Sequence, residues 1–259
     1  MTDWREKYLN KVTCGDCLEL MRDLPDGCVD AVVTDPPYNI GTPQRITDTR
    51  NNKNRLIGGD FGTFDENAIM PVEWMPSVRR VLKRDGVLVS FYGARNINTL
   101  LMSARECGFE VIQDFHWTKT NPPVPMRSVG FSWATETGYI FRKSGERHKH
   151  NNDAGISPNW FQSGICGGME RGEHPTQKRI DTMSWLVEHW SFERQIILDP
   201  FIGSGTTAVA AIRTGRQFIG FEIDPHYCEI ANRRIADEQA KIPIPFKEYA
   251  PPEQTALPI

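Results

Sequence analysis

Val29-Asp30-Ala31-Val32-Val33-Thr34-Asp35-Pro36-Pro37-Tyr38 decides how the rest of this chain is read. A short apolar, β-branched run is the pattern of a buried strand. The prolines stop the ladder and stiffen the exit. A carboxylate, a backbone carbonyl and an aromatic ring are thereby fixed just past the strand. In open α/β sheets ligands bind outside the carboxyl ends of the strands. Asp35 is one acceptor and the Asp35 or Pro36 carbonyl a second, while Tyr38 offers a face for stacking. Such a set suits a planar exocyclic amino group. The plainer alternative is a Pro-Pro turn with Asp35 in solvent. It would hold for Asp-Pro alone, and is the weaker reading for four such residues directly after an apolar strand.

A second stretch has the same grammar. Gln195-Ile196-Ile197-Leu198 reads as a strand and runs into Asp199-Pro200-Phe201-Ile202-Gly203-Ser204-Gly205-Thr206-Thr207. A small-residue helix and a strand, Gln217 to Phe221, follow and end on Glu222. Strand, glycine turn, helix, strand and acid make an adenosine-binding βαβ unit, with the acid placed for ribose hydroxyls. Ser204, Thr206 and Thr207 put hydroxyls at a helix N-terminus, where an anion is favoured. Gly203-x-Gly205-x-x-Ala208 also fits the dinucleotide fingerprint, so an NAD(P)-dependent Rossmann dehydrogenase competes.

Between the two stretches, helical spacing is expected over 17–23, 70–84 and 96–107, with Asp85-Gly86 ending the second helix. Strands are expected at 11–14, 87–92, 111–117 and 137–141. Residues 39–66 show no period and read as a mobile loop: a solvated surface loop or, as its position behind the site favours, a lid whose Arg45, Arg50, Lys53 and Arg55 could meet phosphates. Residues 121–133 and 143–173 are rich in Pro, Gly, Asn and His. Arg142, Lys143, Arg147, His148, Lys149 and His150 form the densest basic run, interleaved with Phe131, Trp133, Trp160 and Phe161. That mixture suits either DNA contact or a basic surface hairpin with packing aromatics. A further helix follows His174-Pro175-Thr176-Gln177-Lys178, another runs from Asp224 to about Gln239, and a Pro-rich tail closes 241–259.

Asp35-Pro36-Pro37-Tyr38 resembles the catalytic motif of the DNA amino-methyltransferases, which methylate adenine N6 or cytosine N4. Asp-Pro-Phe-x-Gly-Ser-Gly-Thr-Thr resembles that family's S-adenosylmethionine motif, and His174 to Lys178 the segment preceding it. Gly15-Asp16-Cys17 looks like the motif whose acid meets the cofactor's adenine, and Trp117-x-Lys119-x-Asn121-Pro122 also has family character. Arg179 departs from the proline often found there. The catalytic motif precedes the cofactor motif, which is the order of the β class. The resemblance covers about residues 11–239. It implies a single α/β domain over 1–259, a Rossmann-like, S-adenosylmethionine-dependent methyltransferase fold with circularly permuted motif order. The strand near Val12 would complete the cofactor half, and 121–173 would hold a small target-recognition insertion. Catalysis would fall to Asp35, Pro36, Pro37 and Tyr38. Cofactor contacts would be Asp16 at the adenine, Glu222 at the ribose, and Phe201, Gly203, Ser204, Gly205, Thr206 and Thr207 at the methionine end, with Lys178 and Asp199 beside them.

The implied reaction is methyl transfer to N6 of a flipped-out adenine at specific DNA sites, as in restriction–modification. Cytosine N4 uses the same chemistry, but its enzymes more often begin the motif with Ser. A non-catalytic DNA-binding partner of the same fold is a third reading, disfavoured by an intact Asp35 beside an intact glycine turn. DNA is the expected partner, and because β-class relatives often pair, a homodimer is an open expectation. The formal net charge of −3 over 259 residues gives no overall sign of nucleic acid, so basic residues would have to cluster locally. No run is apolar enough to span a bilayer and no signal pattern follows Met1, so a cytoplasmic setting is expected. The six cysteines are scattered, with one C-x-x-C pair at Cys14 and Cys17 and no second to complete a metal site. They are expected to be reduced, with no metal bound.

Overall fold

Every residue of Val29–Thr34 except Asp30 is buried, as expected of a strand covered on both faces. The computed structural model describes residues 3–38, 45–48, 53–56, 69–122, 132–165 and 177–241. In chain order the first elements are α1 (Trp4–Tyr8), β1 (Lys11–Cys14), α2 (Cys17–Arg22), β2 (Val29–Thr34), β3 (Arg45–Asp48), β4 (Lys53–Leu56), α3 (Pro71–Val81), β5 (Leu82–Phe91) and α4 (Ile97–Glu106). There follow β6 (Phe109–Lys119), β7 (Thr135–Lys143), β8 (Trp160–Ser163), α5 (Ile180–Trp190), β9 (Ile196–Asp199), α6 (Thr206–Arg213), β10 (Gln217–Glu222) and α7 (Pro225–Gln239).

Eight strands form one sheet in the order β1-β10-β9-β2-β5-β7-β6-β8. From β1 to β5 all neighbours are parallel, whereas β7 runs antiparallel to both β5 and β6. The chain leaves β9 toward β10 on one side and β2 toward β5 on the other. Strand order therefore reverses between β9 and β2, which is where open α/β sheets place their ligand crevice. Both motifs leave these two neighbouring strands. β1 pairs with β10, Cys14 opposite Glu222, so the N-terminal strand does complete the half built by residues 196–239.

Side-chain alternation explains the layering. Ala31, Val33, Val87, Val89 and Ile197 point to one face, against Met183, Leu186 and Val187 of α5 and Ala208, Ala211 and Ile212 of α6. Val32, Leu88 and Leu198 point to the other, against Met21 of α2, Trp74 and Val78 of α3, and Leu100 and Ala104 of α4. Each such Val or Leu contributes about 1.5–3 kcal/mol by leaving water.

Asp85-Gly86 does not end a helix. α3 stops at Val81, and Gly86 lies within β5, where a Cβ would sit 2.5 Å from the Asp30 carbonyl oxygen of the adjacent strand. Close strand approach, not a turn, requires glycine here. Within 39–66 the described residues are an antiparallel pair, β3 with β4, where no strand was expected; the rest of that loop lies outside the described residues, and so do the side chains of Arg45, Arg50, Lys53 and Arg55. The 121–173 stretch lends β7 and β8 to the main sheet; its residues 123–131 and 166–173, like His174 and the tail beyond Lys241, lie outside the described residues. Among the described residues no helix is long and apolar enough to cross a membrane.

Candidate functional site

Asp35 stands at the carboxyl end of β2 with both carboxylate oxygens engaged. The Tyr38 hydroxyl donates to Oδ1 and the Lys178 ammonium to Oδ2. Tyr38 lies across the backbone of Gly93, where a Cβ would come within 3.3 Å of its ring, and its carbonyl accepts from Asn96 Nδ2 at 2.8 Å. Its ring centroid is 5.5 Å from that of Tyr92. Pro36 is buried and Pro37 half-buried, which fixes the exit from the strand. Lys178 also meets Glu136 Oε2 at 3.0 Å, and Glu136 Oε1 meets Lys119 Nζ at 2.6 Å. Burial pushes the Asp35 carboxyl up, against the pull of Lys178, and the neighbouring Glu136 charge adds to the rise. Burial would raise Glu136 too, but the Lys178 and Lys119 ammoniums outweigh it and hold it at about 2. Lys178 is lowered by burial and raised further by its two carboxylates, so its proton is held above the ordinary lysine range.

The neighbouring turn is centred on a carboxylate held by hydroxyl and backbone donors. Asp199, at the end of β9, accepts from Thr34 Oγ1 at 2.7 Å and Phe201 N at 3.1 Å on Oδ1, and from Thr207 Oγ1 at 2.6 Å on Oδ2. It thus ties β2 to the glycine turn, and burial pushes it up to about 6. Gly205 has φ +85°, and a Cβ there would lie 3.0 Å from the Ala231 Cβ, so turn and α7 can pack only on glycine. Arg234 donates to the Ser204 carbonyl at 2.5 Å, to Ser204 Oγ at 2.8 Å and to Thr206 Oγ1 at 3.3 Å. Glu222 accepts Gly203 N on Oε2 and Asp224 N on Oε1, each at 2.9 Å. Asp16 caps α2 through Leu18 N at 2.7 Å, and the Gly15 N–H bonds the Glu222 carbonyl at 2.8 Å, which brings Asp16 beside the Glu222 strand end. The Phe201 ring packs edge-on against Trp74, centroids 5.6 Å apart.

A model of the N6_N4_Mtase family, described as DNA methylase, matches residues 29–233. The chain belongs to this DNA methylase family. It is 31% identical over 229 residues to YubD of Escherichia coli (strain K12), a methylase by name, covering 87% of this chain and 89% of the relative. It is 28% identical over 237 residues to the type II methyltransferase M2.LlaDCHI of Lactococcus lactis subsp. cremoris, covering 85% and 87%. Among solved structures, the M1.HpyAVI–SAM complex superposes with a TM-score of 0.67 at 24% identity, over 86% of this chain and 98% of that one. The cytosine-N4-specific PvuII DNA methyltransferase gives 0.65 at 22%, over 89% and 91%. Both shared folds are of the Rossmann-like methyltransferase type.

In this methylase the residues singled out in the sequence fall into two groups on adjacent strand ends. Asp35 to Tyr38 form one; Asp16, Asp199, Phe201, Gly203 to Thr207 and Glu222 form the other. Lys178, expected with the cofactor contacts, sits instead on Asp35. The hydroxyls of Ser204 and Thr206 turn to Arg234, and that of Thr207 to Asp199, so all three lock the turn rather than line its open side. Glu136 is the residue missed altogether. A single Glu between threonines at the start of a strand carries no local signal; only the β6–β7 pairing brings it here. Lys119 was part of a noted motif but had no assigned role.

The basic run is not at this site. Arg142 pairs with Val87 in register, at the end of the sheet away from Asp35. Its guanidinium meets Glu110 at 3.0 Å, Lys149 pairs with Asp85, and the His150 ring packs on Trp190 at 5.0 Å. Phe161 stacks on Trp185, centroids 5.6 Å apart. Trp133, just before β7 at the Asp35 end, is 64% exposed. Among the described residues no group of three or more His, Cys, Asp or Glu could hold a metal ion.

Proposed function

We propose that this methylase transfers a methyl group from S-adenosylmethionine to the N6 amino group of an adenine extruded from DNA. The observation that carries the reading is the pairing of Asp35 and the Gly203–Gly205 turn on two hydrogen-bonded parallel strands, where strand order reverses. The donor set fits the cofactor: a half-buried Glu222 carboxylate aimed by two backbone N–H groups for the ribose, Asp16 for the adenine, and the turn at Phe201 to Gly205 for the methionine end. When bound, S-adenosylmethionine supplies an electrophilic methyl group on a sulfonium.

The work of the chain is to make a poor nucleophile competent. The adenine amino lone pair is delocalised into the ring. Asp35 Oδ1 and the Pro36 carbonyl accept its two hydrogens and favour a pyramidal nitrogen. The amino group replaces the Tyr38 hydroxyl on Oδ1, which frees the Tyr38 ring to stack on the base. Lys178 stays on Oδ2 and keeps the carboxylate oriented. As positive charge grows on the nitrogen, the Asp35 carboxylate stabilises it, and Asp35 is the nearest base for the proton that leaves. Extrusion from the duplex is required to reach a pocket at a strand end, and holding both reactants supplies much of the remaining rate.

Cytosine N4 is the second reading. It is supported by the similar fold of a cytosine-N4-specific enzyme and opposed by aspartate, not serine, at position 35. Transfer of labelled methyl from S-adenosylmethionine to mixed-sequence DNA, followed by nucleoside analysis, separates them. Label in N6-methyladenine is expected; label in N4-methylcytosine would replace the base and keep the chemistry. A role beside a cognate nuclease is in keeping with the type II relative and is tested by the site-specificity of that label.

A further inference from the structure

The reading above uses Asp35 and does not account for the charges behind it. The Lys178 side chain is 8% exposed. Its ammonium lies 4.9 Å from the Phe91 ring centroid and 5.8 Å from that of Tyr38. A cation so placed must be balanced by opposite charge. Two carboxylates surround it, and the second, Glu136, is in turn bound to Lys119, whose ammonium lies 5.2 Å from the Trp117 ring. Asp35, Lys178, Glu136 and Lys119 therefore alternate in sign and sum to zero. They come from four places: the end of β2, the residues before α5, the start of β7 and the end of β6. Trp117 pairs with Glu136 in register, and Lys119 N bonds the Ala134 carbonyl at 2.6 Å. The last two charges thus sit on the two stems of the β6–β7 connection.

We infer that Glu136 is a positioning residue for methyl transfer: it shares the Lys178 ammonium with Asp35, so that Lys178 orients the catalytic carboxylate without cancelling its charge, and through Lys119 it couples that carboxylate to the β6–β7 stems. The inference rests on the methyltransferase reading of Asp35. The alternative is a staple that holds β6 to β7 and nothing more.

The charged and titratable groups facing Asp35 are Lys178, Glu136, the Tyr38 hydroxyl and, from β9, Asp199; Lys119 acts through Glu136. Removing the Glu136 charge leaves Lys178 undivided on Asp35, which lowers the pH at which Asp35 protonates. Glu136→Gln keeps the shape and one acceptor. It is expected to reduce kcat about ten- to a hundredfold, the scale of one charged hydrogen bond, with the KM for S-adenosylmethionine nearly unchanged. The acid limb of the kcat profile should move lower by about one pH unit. Glu136→Asp should restore the limb. Lys119→Met should move it the other way, because Glu136 would then face Asp35 with its charge less compensated. The same displacements should appear without turnover in an NMR titration of carboxyl-labelled aspartate at Asp35. A staple alone would lower Tm and leave both titrations in place. Unmoved limbs in folded Glu136→Gln and Lys119→Met would overturn the inference. If Glu136→Gln does not fold, an unmoved Lys119→Met limb overturns it alone. If the unmodified protein transfers no methyl group, the methyltransferase reading fails, and the NMR titration still decides the coupling.

Discussion

The turn after β9 and the turn after β2 leave neighbouring strands, yet they are held in different ways. Backbone N–H groups, three hydroxyls and two glycines in left-handed conformation fix the first, with one arginine clamping from α7. Four charges, Lys178 buried and the other three half-buried, drawn from four places far apart in the sequence, fix the second. A turn of the first kind has these bonds in place before anything binds. The second keeps its carboxylate satisfied at rest by Tyr38 and Lys178, and it can exchange one of those partners for a substrate. The difference matches the tasks proposed for them: a constant cofactor on one side and an entering base on the other.

The sharpest way to break the comparison is Asp35→Ala. It removes the charge on which the second turn centres, and kcat should fall by about a hundred- to a thousandfold. Equilibrium binding of S-adenosylmethionine, followed by calorimetry, should barely change, because the β9 turn does not depend on that charge. Near-normal turnover in a cofactor-bound Asp35→Ala protein would refute the mechanism. Gly205→Ala attacks the other side. The positive φ and the Ala231 contact at 3.0 Å should cost about 2 kcal/mol of stability, read as a lower urea midpoint. At Glu222, replacement by Gln should weaken cofactor affinity about tenfold and leave kcat at saturating cofactor in place, since the role proposed for this residue is confined to the cofactor.

The smallest effect concerns Asp199, which belongs to both turns. Its folded pKa of about 6 lies above the ordinary 3.8, so the folded state binds the proton more tightly than the unfolded chain. The resulting stabilisation is complete below about pH 4 and is lost as pH rises through about 6. Asp199→Asn removes the titrating group, so the fall in Tm from pH 4 to pH 6 should be shallower than in the unmodified protein. An identical slope would assign that fall to other groups.

The two turns also differ in how far the sequence discloses them. Asp199 to Thr207 and Glu222 lie within one βαβ unit, so spacing alone places strand, turn, helix and acid. The order of motifs also announced that β1 would close this half, and the β1–β10 pairing agrees. The Asp35 turn was legible as a strand end with an acid and a ring, but its counter-charges were not. Glu136 lies 101 positions and Lys178 143 positions from Asp35 in the sequence, and no local pattern ties them. The basic run could not be resolved for a related reason. Its composition suits DNA contact or a basic surface hairpin with packing aromatics alike, and the strand direction of β7 carries it to the opposite end of the sheet, where it is paired and packed. Gly86 misled because glycine serves close strand packing as well as turns.

The pairing of β1 with β10 bears on how the protein is made. Lys11 to Cys14 find their hydrogen-bonding partners only at Ile219 to Glu222. On the ribosome, the first strand must wait until residues 208 positions further on are translated before it has a neighbour. Contacts of such separation form slowly, and an unpaired strand is exposed to mispairing meanwhile. Synthesis should therefore assemble the β2–β5–β7–β6 half first and close the cofactor half last. The Asp35 side would be shaped before the protein can hold a methyl donor.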